Sequence, residues 1–387
     1  MRMRSGLIVA FAAAGLACGG DGGTRSVSDA AGVVVESTPF LTIGVEEGED
    51  AYQFERVVDA LVSVDGRILV ADGDAHELRI FDSTGKHVST LGRVGAGPME
   101  FNEGSSGFLY ANANTLLAAD EGAMRVHVLA PDLTFRETRR FTLYPDTPRP
   151  YLQGLAANGD WVVQAFANGG AIRGAPGQIF NTNYQLLRYD STGAMLDTII
   201  QLPMRPRLFH EFEGRVRAIS IPLASEPLFA VDGDRLIIVG GNAPAMQIHA
   251  LDGTEIGAEA WDRPRVRSAD IWDEYKRQVA VSMTGQADSA RYANFNAQPL
   301  PLSEFAPLYI GVKLDPSGRI WLERFRMPLD STRQWDVLDR DGKLLGAAET
   351  PKGITVLRFA KDVMIGRSRD SLGVQRVQLY RVRSAAP

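Results

Sequence analysis

Short apolar runs separated by polar, glycine-bearing turns fill most of the chain, and the pattern is clearest from Gly66 to Phe101. Ile68-Leu69-Val70-Ala71 is apolar throughout and rich in β-formers, as a strand covered on both faces should be. Leu78-Arg79-Ile80-Phe81 predicts a second strand and His87 to Leu91 a third. Asp82-Ser83-Thr84-Gly85-Lys86 joins those two as a hairpin, because Gly85 can take positive φ and Asp82 can cap the turn. Asp65-Gly66 is a further hairpin signal and places another strand upstream, at Val57 to Val64. Four antiparallel strands in about 40 residues is the size of one propeller blade.

The unit recurs. Asp-x-x-Gly returns at Asp190-Ser191-Thr192-Gly193 and Asp339-Arg340-Asp341-Gly342, and in shortened form at Asp252-Gly253-Thr254. The first hairpin returns at Asn158-Gly159, Asp232-Gly233 and Asp315-Pro316-Ser317-Gly318. Phe54 and Phe101 close similar approaches to successive units and set a period of 47 residues. A second, degenerate unit runs through Thr115 to Asp120 with Pro131-Asp132 in place of the glycine hairpin. The last unit, Ile354 to Arg383, offers only three strands, and Val33 to Ile43 can supply the fourth and close the ring. Closure removes exposed sheet edges. The expected fold is therefore all-β: a six-bladed β-propeller of four-stranded antiparallel blades over residues 32–383. A β-sandwich of similar strand count is the rival, and it lacks a period of this length.

Three segments interrupt the repeat. Phe166 to Asn181 is a long polar loop, and Met204 to Arg217 carries Arg205, Arg207, His210, Glu211, Arg215 and Arg217, enough cations to receive an anion. Within residues 262–304 the spacing of Ile271, Tyr275, Val279 and Met283 predicts an amphipathic helix capped by Ser268 and ended by Gly285. It lies between the fourth and fifth blades, as packing, as a lid, or as a face for a partner subunit.

The amino terminus changes the address. Arg2 and Arg4 precede an apolar run from Leu7 to Ala17, a secretory signal in its proportions. It ends Gly15-Leu16-Ala17-Cys18, which resembles a bacterial lipoprotein cleavage box. Cys18 is the only cysteine, so an exported chain would draw its stability from the sheet core and not from disulfides. Residues 1–17 are thus expected to be removed, Cys18 lipidated, and 18–31 left as a flexible tether. Gly19 stands where an aspartate would retain a lipoprotein at the inner membrane, which points to the outer membrane. The formal charge of −6, or −8 without Arg2 and Arg4, is spread along the chain and leaves no footprint for nucleic acid.

Catalytic motifs are missing. No Gly-x-Ser-x-Gly elbow, His-Glu-x-x-His helix, Walker loop or paired-cysteine site occurs, and the five histidines are dispersed. Gly92 to Gly97 has the composition of a phosphate cradle but opens no helix, and Asp72 to Glu77 has the alternating oxygens of a calcium loop without its glycine and distant glutamate. No cofactor is predicted, though calcium or another divalent metal could sit where blades gather ligands radially. Positions at strand ends and in the long loops are the candidate ligand-binding residues: Asp72, Asp120, His210, Arg324 and Arg367, with Arg205 and Arg207 as anion clamps.

Gly66–Asp82 with Gly85, followed by Gly95-x-Gly97-Pro98-x-Glu100-Phe101, resembles the NHL-type repeat, with Met99 where that family usually has glycine. From about residue 40 to 383 the chain resembles the six-bladed β-propeller lipoproteins of bacteria. Asp315 to Leu322, Gln334 to Gly342 and Val374 to Tyr380 carry the most specific match. The resemblance implies the propeller and an envelope location, and it transfers no catalytic residue. Two functions follow as expectations. One is a non-enzymatic module that binds a small molecule, peptide or envelope protein; the other is a metal-dependent lactonase or lyase with its site in the central channel.

Overall fold

The computed structural model describes residues 32–103, 107–143, 150–166, 174–212, 214–282 and 300–384. The tether, Cys18, Met283, Gly285 and the middle of the Phe166–Asn181 segment lie outside those residues.

Six four-stranded antiparallel blades follow one another, each running from an inner strand to an outer one. Blade 1 is Val57–Val62, Ile68–Asp72, Glu77–Phe81 and His87–Leu91. The inner strands of blades 2 to 6 are Leu109–Ala111, Tyr151–Leu155, Leu228–Asp232, Tyr309–Leu314 and Thr355–Ala360. The degenerate second unit forms a full blade, with Leu116–Asp120 wholly buried.

Blade 6 takes its outer edge from the amino terminus. Val33–Val35 and Leu41–Ile43 both pair antiparallel with Gln375–Ser384, so the expected closing strand is two short ones on a single partner. The core lies between blades. Trp321 stacks on Phe359 at 3.9 Å across the boundary of blades 5 and 6, with Trp335 edge-on to both.

The turns repeat one chemistry. Asp82, Asp190 and Asp339 each accept the amides two and four residues on, which closes the hairpin around a carboxylate. The third residue of such a loop can then sit at positive φ, as Gly85 does at 86°. Asp315 closes the corresponding inner hairpin of blade 5 and is buried, accepting from Ser317, Arg319 and the Trp321 indole.

Insertions depart from the sequence reading in two places. The arginine-rich segment takes a regular form that the sequence reading did not expect: Arg207–Phe212 and Arg215–Ser220 form a hairpin, and Ile179–Phe180 adds to it as a third strand. His210, expected in a loop, is a buried strand residue opposite Arg217. The helix forms at Ser268–Ser282 between blades 4 and 5, where it was expected. Ser268 is its first residue, not its cap, and the Ser268 hydroxyl is buried without a hydrogen-bond partner. The helix meets blade 5 through the Gln278 side chain, which accepts the Leu329 amide at 2.9 Å.

Candidate functional site

The six inner strands enclose a central channel with a cavity of ≈ 680 Å³. Its wall runs from Asp59 and Tyr110 in mid-strand to the inner hairpin turns at 112–113, 232–233 and 315–316. Those turns lie at one end of the inner strands. The three insertions leave from the other end, because strand alternation puts every second-to-third-strand loop and every link between blades there. The cavity lining thus reaches from the strand-entry end, at Val58, Phe108 and Val356, to the hairpin turns on the end opposite the insertions.

Irregular inner strands shape the wall. Bulges fall between Val57 and Asp59, Leu152 and Gly154, Tyr309 and Gly311, and Val356 and Arg358, the same place in four blades. A bulge re-aims the side chain beside it. In the adjacent blades 1 and 6 the re-aimed residues are Asp59 and Arg358, and they meet. Arg358 Nε donates to Asp59 Oδ1 at 2.8 Å, while its Nη2 bonds the other oxygen and the Leu109 carbonyl. Asp59 also accepts the amides of Ala60 and Leu109, at 2.9 and 3.0 Å, so its carboxylate is fully engaged. In blades 3 and 5 the matching position is glycine. At Gly154 any β-carbon would fall 2.5 Å from Val231 of the next inner strand, so glycine is what lets those two strands approach.

Lys313, on the inner strand of blade 5, is half-buried in the same wall. Its Nζ donates to the Leu357 carbonyl at 2.9 Å, and among the described residues no carboxylate forms an ion pair with it. Desolvation pushes its pKa down, partly offset by the charge of Asp59. Tyr110 also lines the cavity, its hydroxyl donating to the Leu152 carbonyl at 2.5 Å, and burial pushes that phenol's pKa upward.

None of the seven candidate residues read from the sequence lines this cavity. Asp72 and Asp120 end equivalent strands of blades 1 and 2 and brace the chain as it enters each blade. Asp72 accepts the Glu55 and Arg56 amides, both at 2.9 Å, and sits 3.6 Å from Arg79. Asp120 accepts from Arg125 at 2.6 Å and from the Asn102 amide at 3.2 Å. Arg324 bonds Asp336 at 2.6 Å, and Arg263 bonds the same buried carboxylate. Tyr309 donates to Asp336 at 2.7 Å and accepts from Trp261, which ties the chain leaving blade 4 to blade 5. Arg367 donates to the Val57 carbonyl at 2.5 Å, where desolvation and the nearby charges of Arg369, Arg56 and Arg333 push its pKa down. Arg205 pairs with Glu226 at 3.5 Å, and Arg207 lies on the small inserted hairpin. His210 lines a separate cleft with Phe209 and Leu300.

Both loops with borrowed resemblances are filled from within. The Gly92–Gly97 link wraps the carboxylate of Glu100, which takes the Gly97 amide and Arg93, each at 2.7 Å. In the Asp72–Glu77 loop Asp74 is bound by Arg56 and Glu77 by Arg79. Among the described residues no three His, Cys, Asp or Glu side chains stand together as a metal ligand set. The channel's carboxylates are each taken up by an arginine, Asp59 by Arg358, Asp232 by Arg235 and Asp315 by Arg319, and that set does not fit a divalent cation.

The model of a domain family described as a 6-bladed beta-propeller matches residues 49–153. Solved structures of low identity resemble the chain. A member of the DUF4221 family from Bacteroides vulgatus is 11% identical with a TM-score of 0.50, covering 91% of this chain and 99% of its own. An exported protein from Bacteroides fragilis is 13% identical with a TM-score of 0.49, covering 94% and 98%. A gluconolactonase from Xanthomonas campestris is 11% identical with a TM-score of 0.40, covering 90% and 100%. No curated protein matches the chain. The chain is a six-bladed β-propeller.

Proposed function

We propose that the protein is a ligand-binding module of the bacterial cell envelope, exported and lipid-anchored through Cys18, which holds a small polar molecule in its central channel. One observation carries the reading: a cavity of ≈ 680 Å³ walled by all six inner strands, with the Asp59–Arg358 pair and the Lys313 amine in its side. That volume suits a small organic ligand, whose sites run to roughly 300–1,000 Å³ and place a few polar groups in a mostly apolar wall. The envelope location rests on Arg2, Arg4, the Leu7–Ala17 run and the small residues before Cys18. A metal-dependent lactonase or lyase needs converging ligands at the channel centre, and Asp59, the one carboxylate in mid-channel, is already held by Arg358.

Ala230 lines the channel on the inner strand of blade 4, and Ala230→Trp should fill it. The test is a thermal-shift screen of wild type and variant against defined amino acids, sugars, short peptides and organic acids. At least one compound should raise the wild-type melting temperature by a few degrees, as ligand in large excess over its Kd does, and leave the variant unmoved. A folded variant that is stabilised equally, or a wild type that responds to nothing, defeats the reading.

A further inference from the structure

We infer that the channel's ligand carries a single carboxylate and that Lys313 docks it, an inference that rests on the channel being the binding site. The charged residues of the wall are Asp59, Asp232, Lys313, Asp315 and Arg358, and Asp232 and Asp315 are paired with Arg235 and Arg319. Asp59 and Arg358 cancel: the carboxylate takes two guanidinium bonds and two backbone amides, and the guanidinium also meets the Leu109 carbonyl. Lys313 is left. Its ammonium has three donors, and among the described residues one acceptor answers, the Leu357 carbonyl at 2.9 Å. Among the described residues its other two donors are unanswered.

A cation in a partly dehydrated wall with no ion-pair partner is costly, and an anion entering the channel would lower that cost. One unit of positive charge matches one carboxylate. A phosphate dianion would leave an excess negative charge in the same low-dielectric space, next to Asp59. The groups that face Lys313 are Asp59 on blade 1, Arg358 on blade 6, and Glu323 with its partner Arg333 on blade 5. Glu323 is taken up by Arg333, as Asp59 is by Arg358, so among the described residues no carboxylate competes for the amine.

The test reads Lys313 directly. Lysine carrying carbon-13 at Cε, supplied during expression, leaves all three ammonium donors in place and gives each lysine an NMR signal, and the signal lost in Lys313→Met is that of Lys313. With sodium acetate as the probe, at constant ionic strength, its titration midpoint should rise by at least half a pH unit over that in chloride. Acetamide should leave it in place, and the surface signals of Lys86, Lys343 and Lys361 should not move. A Lys313 midpoint equally insensitive to acetate and to benzoate overturns the inference. If the screen meanwhile finds a neutral compound blocked by Ala230→Trp, the channel reading survives and the carboxylate falls. If acetate moves Lys313 in the wild type and not in Ala230→Trp, the channel reading and the carboxylate stand together.

Discussion

Single charged residues in apolar strands are where this molecule departs from its own pattern. Asp59 interrupts Val57–Val62, Lys313 interrupts Tyr309–Leu314 and Arg358 interrupts Thr355–Ala360. That interruption was the visible signal of the channel in the sequence. The strand-end positions Asp72, Asp120 and Arg324 look equally charged on paper, but they serve the links between blades. Linear spacing cannot tell the two apart, since bulges decide which side chain turns inward. Asp59 is 5% exposed, so stripping its counter-ion leaves a buried unpaired charge, which costs on the order of 3–5 kcal/mol when the pair is fully dehydrated. Arg358 keeps some contact with the channel, so Arg358→Met should cost about 2–4 kcal/mol in urea unfolding. Adding Asp59→Asn should recover part of that loss, because the amide still accepts one backbone bond and carries no charge. A single variant less than about 1 kcal/mol below wild type would mean that the channel water already solvates Asp59.

At the scale of the element, the turns were the most legible part of the chain and the insertions the least. Each Asp-x-x-Gly read as a hairpin closes around its aspartate, because the chemistry is local: one carboxylate meets amides two and four residues away. The inserted three-stranded sheet joins Ile179–Phe180 to a hairpin nearly thirty residues on, and no local signal reports such a pairing. The turns also set the acid behaviour. The side-chain bond from Arg67 holds Asp65 down at about 2, and that from Thr192 holds Asp190 below the usual 3.8. At Asp315 burial would raise the pKa, yet bonds from Ser317, Trp321 and Arg319 overcome it and the net direction is down. Folded values below the unfolded ones stabilise the protein above pH 3.8, and that stability is lost as the pH falls through the folded values towards 2. The melting temperature should accordingly hold from pH 7 to about 5 and fall steeply below 4. Asp315→Ala leaves the Trp321 indole and Arg319 without their acceptor and should cost about 2–4 kcal/mol at pH 7, with a shallower acid slope. An unchanged slope would place the acid transition in other carboxylates.

The whole molecule is a ring closed by its amino-terminal segment, the one that leads to the proposed anchor at Cys18. The repeat period made the ring legible, and so did the count of strands, since the sixth unit lacked one and the amino-terminal segment had one to spare. What the period could not show is the channel's content, because its wall takes side chains from strands some fifty residues apart, and more at the insertions. Closure and anchoring can be separated by experiment. Val33, Val35 and Ile43 are 3%, 8% and 1% exposed, and burying three such side chains is worth roughly 5 kcal/mol at about 1.5–3 kcal/mol each. Deleting 33–43 would also leave the ten-residue strand Gln375–Ser384 as an open edge. Such a protein, retaining Cys18, should stay in the membrane fraction but melt many degrees lower and aggregate on heating. Cys18→Ser should do the reverse, leaving the membrane while melting with wild type. A deletion that melts with wild type would show the ring closing without its amino-terminal strands, and a serine variant still bound to membranes would place the anchor elsewhere.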